Sequence, residues 1–373
     1  MKVEQQHKPL RIAILGSRGI PAEFGGFETF AEQLAVRLAA LGHDVTVFCE
    51  RSQSYSKNHY QGVNLVYLPT PPVVGLRSIW FDVASIIMTL RGYSIVYMLG
   101  YHAAFAFFLP RLFRTNFWTN MDGLEWKRDK WSPLVKRYLE LMEWCAARFS
   151  HRIIADAEGI ATYLNERYGV SQKTTMIPYG AEIVASPPDF SLVDDLPIES
   201  NEYYLVVCRL EPENHVREIV EGFSASNSDR KLIVVGDHSA HSDYVRSLLN
   251  LGGARIVFVG AIYDPQRLLS LRWHCRAYFH GHSVGGTNPS LLEAMACANH
   301  TVAHDNVFNR EVTGNIGDFF AASKDIPSIL ARLDTSVPSS TKAQLVSRVE
   351  SIYSWTAVAA SYAEIFQQNR HDR

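Results

Sequence analysis

Three segments of this chain place glycine, helix-capping residues and charge in patterns that suit the binding of a phosphate group. The first is HGHSVGGTNPSLLE, His280 to Glu293. Asn288 is a good N-cap, and Pro289 fits the first helical position, where its missing N–H is no loss. The helix that follows aims free N–H groups back at the loop holding His282, Gly285, Gly286 and Thr287, and a diphosphate suits that end. Glu293, one turn further in, can accept two hydrogen bonds from adjacent hydroxyls, as a ribose offers. Plain capping is the structural alternative; a Gly-Gly pair directly before the cap counts against it. The second segment, GSRGIPAEFGGFET (Gly16 to Thr29), lies between the apolar run IAIL and a helical pattern. Gly25 and Gly26 would let backbone N–H groups approach a ligand closely, the alternative being a tight structural turn. It is not the dinucleotide fingerprint: Gly-x-Gly-x-x-Gly is absent, and only Glu50 stands in the ribose position. The third is Arg209 in VVCRLEPEN, at the carboxyl edge where open α/β sheets bind ligands. An arginine there can neutralise a departing diphosphate.

The sequence also argues against metal and hydrolytic chemistry. Of fourteen histidines, His238 and His241 with Asp237 and Asp243, and the pair His280 and His282, have ligand-like spacing. Neither set forms a His-Glu-x-x-His arrangement, and Asp-x-Asp and Gly-x-Ser-x-Gly do not occur. The expectation is no metal and no resident cofactor.

The elements that must position these residues alternate. Short Val- and Ile-rich runs (Ile12 to Leu15, Val45 to Phe48, Ile95 to Met98) are separated by helical patterns, the mark of parallel βαβ units. The first helix is expected from about Thr29 to Leu41, with Gly42 ending it. Ala185 to Asn201 is rich in Pro, Asp and Ser and reads as a linker. After it the alternation restarts with YYLVVCRL, KLIVVGD, RIVFVG, RAYFHG and HTVAH. The expected organisation is α/β: a Rossmann-like domain over 1–184, a linker over 185–201, a second Rossmann-like domain over 202–350, and a closing helix over 351–373 that packs back on the first domain. Residues 127–152 read as one long amphipathic helix with seven Lys or Arg against three acids. Such a helix either packs on the sheet in the ordinary way or faces an anionic membrane surface or a lipid-diphosphate acceptor; Ile79 to Leu90 and Ala103 to Phe113 either add to that surface or are ordinary buried helices.

A formal charge of -2 gives no global field for nucleic acid. The five cysteines are scattered singly, which fits a reduced compartment. The polar start MKVEQQHKPLR and the lack of a long apolar run point to a cytoplasmic protein, at most peripheral on the membrane.

Together these features resemble glycosyltransferase family 4, of the GT-B enzymes. GGFETFAEQLAVRLAALGHDVTVF is similar to the family's first strand-loop-helix region, IPYGAEI to its domain junction, and YSWTAVAASY to its closing helix. GSRGIPAEFGGFET, TNMDGLEWKRDKWS and HGHSVGGTNPSLLEAM look like a bacterial rhamnosyltransferase-type subgroup. Two positions depart from the family pattern: Gly285 stands in place of the first of two glutamates, of which Glu293 matches the second, and Asn214 stands where a lysine would follow Arg209. The resemblance implies a retaining, metal-independent transfer from a nucleoside-diphosphate sugar, with dTDP-L-rhamnose the leading donor and a lipid-diphosphate-linked saccharide the acceptor. It places Arg209 at the diphosphate; His102 and Asp122, which follow strands of the first half, are the best polar candidates to face the acceptor, the alternatives being a satisfied loop histidine and a turn former. A nucleotide-sugar epimerase of the same fold and a non-catalytic nucleotide-sugar binding subunit are the alternatives.

Overall fold

In the computed structural model the described residues are 8–368, apart from Phe24, Gln53, Val74, Gly75, Asp122, Asp129, Lys130, Ala240 and His241. They form two compact units: Met1–Trp126, Trp131–Tyr179 and Trp355–Arg373 in one, Lys127–Lys130 and Gly180–Ser354 in the other.

The first unit holds strands β1 (Arg11–Leu15), β2 (Asp44–Glu50), β3 (His59–Tyr60), β4 (Val63–Leu68), β5 (Ile95–Leu99), β6 (Phe117–Met121), β7 (Arg152–Ala155) and β8 (Thr174–Met176). They form one sheet in the order β3-β4-β2-β1-β5-β6-β7-β8. Only the β3–β4 pairing is antiparallel. Helices α1 (Gly26–Ala40), α2 (Leu76–Met88), α3 (Phe108–Leu112), α4 (Pro133–Phe149) and α5 (Glu158–Tyr168) connect the strands. The central strands are apolar at successive positions because both faces are covered. Phe30, Leu34 and Leu38 of α1 meet Ile12, Ile14, Val45 and Val47 in the core. The last helix, Trp355–Gln368, buries Trp355, Val358, Tyr362 and Phe366 in this same core, and its Tyr362 hydroxyl lies 2.6 Å from that of Tyr97.

The long basic helix expected over 127–152 does not form as such. Ser132 accepts a hydrogen bond from Val135 N–H and Pro133 occupies the first turn, so α4 starts there. The Ser-Pro pair is a start signal that the charge pattern masked. Lys127 and Arg128 precede α4, and Arg152 belongs to β7. The helix itself carries Lys136, Arg137 and Arg148 against Glu140 and Glu143, and is nearly balanced.

The second unit is a six-stranded, wholly parallel sheet of β9 (Tyr203–Val207), β10 (Lys231–Val235), β11 (Ile256–Gly260), β12 (Ala277–His280), β13 (Thr301–His304) and β14 (Asp318–Phe320), in the order β11-β10-β9-β12-β13-β14. Helices α6 (Val216–Ser224), α7 (Asp243–Leu249), α8 (Pro265–His274), α9 (Pro289–Ala296), α10 (Val307–Thr313), α11 (Ile326–Thr335) and α12 (Ser339–Arg348) complete it. Apolar clusters lie on both faces of the sheet. The Pro-rich segment before β9 is more than a bare connection. Its Phe190, Val193, Leu196 and Ile198 pack on one of these clusters, with Val193 fully buried. Apolar residues recurring among the prolines and acids tie the strap down.

Both sheets reverse strand order at one point, between β1 and β5 in the first unit and between β9 and β12 in the second. Loops leaving neighbouring strands in opposite directions open a crevice there, the usual ligand position in such sheets.

Candidate functional site

In the second unit, Arg209 and the segment His280 to Glu293 meet at the β9–β12 reversal. Arg209 follows β9 with its guanidinium mostly exposed, 3.7 Å from Glu211. The two strand ends are fastened behind it. The Tyr278 hydroxyl donates to the Val207 carbonyl at 3.1 Å and lies 2.6 Å from Ser290 Oγ, at the start of α9.

Gly281 is required by a close approach of two backbones. A Cβ at this position would stand 1.9 Å from the Asn214 carbonyl oxygen. Its own carbonyl accepts from His215 Nδ1 at 2.8 Å. Asn214 is buried. Its Nδ2 donates to the Arg209 carbonyl at 2.7 Å, which leaves its Oδ1 as the acceptor facing His282 Nδ1 at 2.8 Å. His282 therefore carries its proton on Nδ1. In place of a positive charge, Asn214 supplies a brace joining the loop after β9 to the loop after β12. Ser283 completes the joint, its N–H and hydroxyl both donating to the Glu213 carbonyl at 3.0 Å. Gly285, Gly286 and Thr287 follow, all buried.

Asn288 caps α9 and Pro289 opens it, as the residue types indicate. The capping is more complete than expected. Asn288 Oδ1 accepts from Ser290 N–H at 3.0 Å, and its carbonyl accepts from Leu291 and Leu292 N–H. With no N–H on Pro289, the first turn of α9 has no spare donor for an anion. What this end offers is its dipole and the backbone of the loop itself, Gly285 and Gly286 included.

Glu293 is held in place by a residue that the sequence did not single out. Arg272, in the last turn of α8, has a side chain 6% exposed and meets Glu293 Oε2 at 2.6 Å. It also donates to Ser290 Oγ at 3.2 Å. The Glu293 side chain stays 44% exposed, so the pair fixes a carboxylate that faces outward. No motif marks Arg272, because the contact joins two helices.

The site is lined with neutral imidazoles. Burial pushes His280 well below the usual histidine range and His282 and His304 down to about 4. His304 stacks on His215 at 3.8 Å between ring centroids. An unfolded histidine titrates near ~6.5, so between that pH and about 4 the unfolded chain binds more protons. The contribution of these histidines to stability is expected to be full above this window and to be lost as the pH drops through it, while Asp82, whose carboxyl burial raises to about 8, drifts the other way. NMR titration of the histidine rings from pH 7.5 to 4.5 checks this directly, and His282 or His304 titrating at ~6.5 would contradict the neutral packing.

Among the described residues, no three His, Cys, Asp or Glu side chains are grouped to hold a metal ion. His241 lies outside the described residues, and Asp237 accepts from both the N–H and the hydroxyl of Ser239.

In the first unit, Gly25 has φ +95° and directly precedes α1, whose first residue is Gly26. That helix end already carries an acid. Glu28 is buried in the first turn, and burial raises its carboxyl above the usual range. His102 follows β5 at the reversal point, half-buried, with its carbonyl accepting from the Tyr138 hydroxyl at 2.6 Å. Asp122 lies outside the described residues.

Residues 192–342 match the family described as glycosyl transferases group 1. Residues 10–182 match a domain of unknown function, DUF1972. Comparison with curated proteins gives no match. Among solved structures, sucrose-phosphate synthase from Thermosynechococcus elongatus superposes with a TM-score of 0.76 at 17% identity, covering 98% of this chain and 100% of that one. Anabaena HepE in complex with UDP-glucose gives 0.77 at 18%, covering 96% and 100%. A glycosyltransferase from Rickettsia africae gives 0.69 at 15%, covering 98% and 100%. The shared architecture is the pair of parallel-sheet domains of GT-B glycosyltransferases.

Proposed function

From the premise that this chain is a glycosyltransferase of the GT-B fold, with a group 1 domain over residues 192–342, we propose that its donor is a nucleoside-diphosphate sugar held at the β9–β12 reversal. The observation that carries this reading is the convergence there of Arg209, the dipole end of α9 and the carboxylate fixed by the Arg272–Glu293 pair. The UDP-glucose complex of the similar Anabaena protein supports the donor class.

In this reading Glu293 accepts from two ribose hydroxyls, and Arg209 with the loop backbone stabilises charge as the diphosphate departs. The transfer retains configuration, needs no metal, and lets the leaving phosphate take the acceptor proton. His102 and Asp122 are assigned to the acceptor. L-Rhamnose from dTDP is the proposed sugar, on the likeness of the three long motifs, and a lipid-linked saccharide for surface polysaccharide the proposed acceptor. No helix among the described residues is long and apolar enough to cross a membrane; the protein is assigned to the cytoplasm, meeting the lipid at the membrane face.

Incubating pure protein with a panel of nucleotide sugars and a lipid-diphosphate saccharide tests the proposal. Transfer to the lipid supports it; an isomerised donor without transfer, or tight binding without reaction, defeats it. Glu293→Gln should raise the donor Kd roughly tenfold, the weight of one charge-assisted hydrogen bond. Its melting temperature should fall as well, because the amide oxygen still accepts from Arg272 but the nearly buried guanidinium loses its counter-charge. Titration calorimetry with the intact donor measures this, and an unchanged Kd removes Glu293 from the site.

A further inference from the structure

The outward sides of α2, α3 and α4 are apolar where a helix normally turns polar residues to water. On α4 the exposed residues after Pro133 are Leu134, Arg137, Leu141, Trp144 and Arg148, spaced three and four apart on one face. Leu134 is 78% exposed and Leu141 54%. On α2 the exposed positions are Leu76, Ser78, Trp80, Ile87 and Met88, and at α3 and its flanks they are Phe105, Phe108, Arg111, Leu112 and Phe113. These elements adjoin: α2 packs on α3, and the turn Ala104–Phe107 that leads into α3 packs on both α2 and α4. An exposed apolar surface this continuous is uncommon on a protein that meets only water.

Its charge has one sign. No Asp or Glu occurs between Asp82 and Asp122, while Arg91, Arg111 and Arg114 do, all exposed. Arg91 lies over the Phe113 ring at 5.7 Å and Arg148 over Phe149 at 5.9 Å. Burial, then the charges of Arg111 and Arg148, holds the Lys173 ammonium down at about 8, so α3 and α4 bring their cations to one neighbourhood. The acids of α4 are turned away. Glu143 is buried and accepts from Trp126, Tyr163 and Tyr168, and Glu140 pairs with Arg167 at 3.4 Å.

We propose that this face seats the protein on an anionic lipid surface, with Leu76, Trp80, Leu112, Leu141 and Trp144 entering the headgroup layer and Arg111, Arg137 and Arg148 meeting lipid phosphates. A second copy of the chain fits the stripe poorly. Pairing α4 with itself in parallel sets arginine against arginine with no acid on the stripe to relieve it, and pairing it antiparallel about Leu141 sets Arg148 against Leu134 and leaves the charge unanswered. Anionic lipid answers both the apolar area and the charge. The inference rests on the proposed function only in the lipid character of the acceptor.

The test is co-sedimentation of the full chain with vesicles of phosphatidylcholine alone or enriched in phosphatidylglycerol. Binding should favour the anionic vesicles and weaken with salt. At about 1 kcal/mol per basic residue near the surface, reversing two charges in Arg111→Glu/Arg148→Glu should lower binding at least tenfold. Leu141→Asp should lower it as well and abolish a blue shift of tryptophan fluorescence. All three positions are exposed, and unchanged melting temperatures will show that the fold is kept. Absence of binding, equal binding to both vesicle types, or variants that bind as wild type would overturn the proposal. So would a dimer by light scattering that Leu141→Asp breaks. Binding of soluble nucleotide sugars is read separately by calorimetry, so failure of this surface and failure of the donor site give different results.

Discussion

Arg209→Ala is expected to lower kcat by about 10²–10³-fold while changing the donor Kd far less, the effect of removing one preorganised group from developing negative charge. The structure strengthens this expectation. The guanidinium stands at the sheet reversal with its side chain 59% exposed and only a loose contact to Glu211, so it is available to a ligand and costs the fold little when removed. Where a lysine would provide a second charge, Asn214 spends both ends of its amide on the Arg209 carbonyl and His282. In the proposed reaction Arg209 would therefore bear more of the neutralisation. Steady-state kinetics with a saturating acceptor, alongside a melting curve, decide the matter. If kcat is unchanged, the diphosphate is stabilised elsewhere and the arginine has been misassigned.

Gly281→Ala should be the most damaging single-methyl change in the second unit. The new Cβ would overlap the Asn214 carbonyl oxygen at 1.9 Å, and a main-chain oxygen held in a turn cannot step aside as a flexible side chain would. Either β12 or the Pro212–Asn214 turn must shift, and with it the Asn214–His282 bond and the Ser283 contacts to Glu213. A loss of roughly 3–5 kcal/mol is expected, with donor binding lost in whatever folded fraction remains. Gly253→Ala is the natural comparison, because a Cβ there meets nothing within 4 Å. Melting temperatures of the two variants measure the contrast. Similar stabilities would mean that the close approach is not maintained in solution.

The parts of the site that the sequence revealed are those set by local chemistry. Asn288 and Pro289 announce the start of α9 through residue type alone, and Val- and Ile-rich runs locate the strands. Arg209 could be placed because it directly follows such a run. What stayed hidden depends on partners distant in the chain. Arg272 lies 21 positions before Glu293, and nothing in either neighbourhood announces the pair. The first-turn donors of α9 could be counted from the sequence, but not whether Asn288 would satisfy them.

The basic segment shows the same division from the other side. Counting charges over 127–152 merged a loop, a helix and a strand, although Ser132-Pro133 marked the break. The face proposed to meet lipid keeps α4 from within that segment and joins it to α2 and α3, which cover the two apolar runs, 79–90 and 103–113, that the sequence offered for such a surface.

By itself the sequence determined that two largely parallel α/β sheets form, where most of their strands run though not β3, β4 or β14, and that a capped helix follows a Gly-Gly loop. These depend on periodicity and on preferences acting over a few residues. Only the tertiary structure decided that β9 and β12 are neighbours at a reversal, that Gly281 must be bare to let Asn214 pass, and that Glu293 is held by Arg272. Those contacts arise from the order in which strands pair, and that order depends on burying both sheet faces at once rather than on any local run of residues.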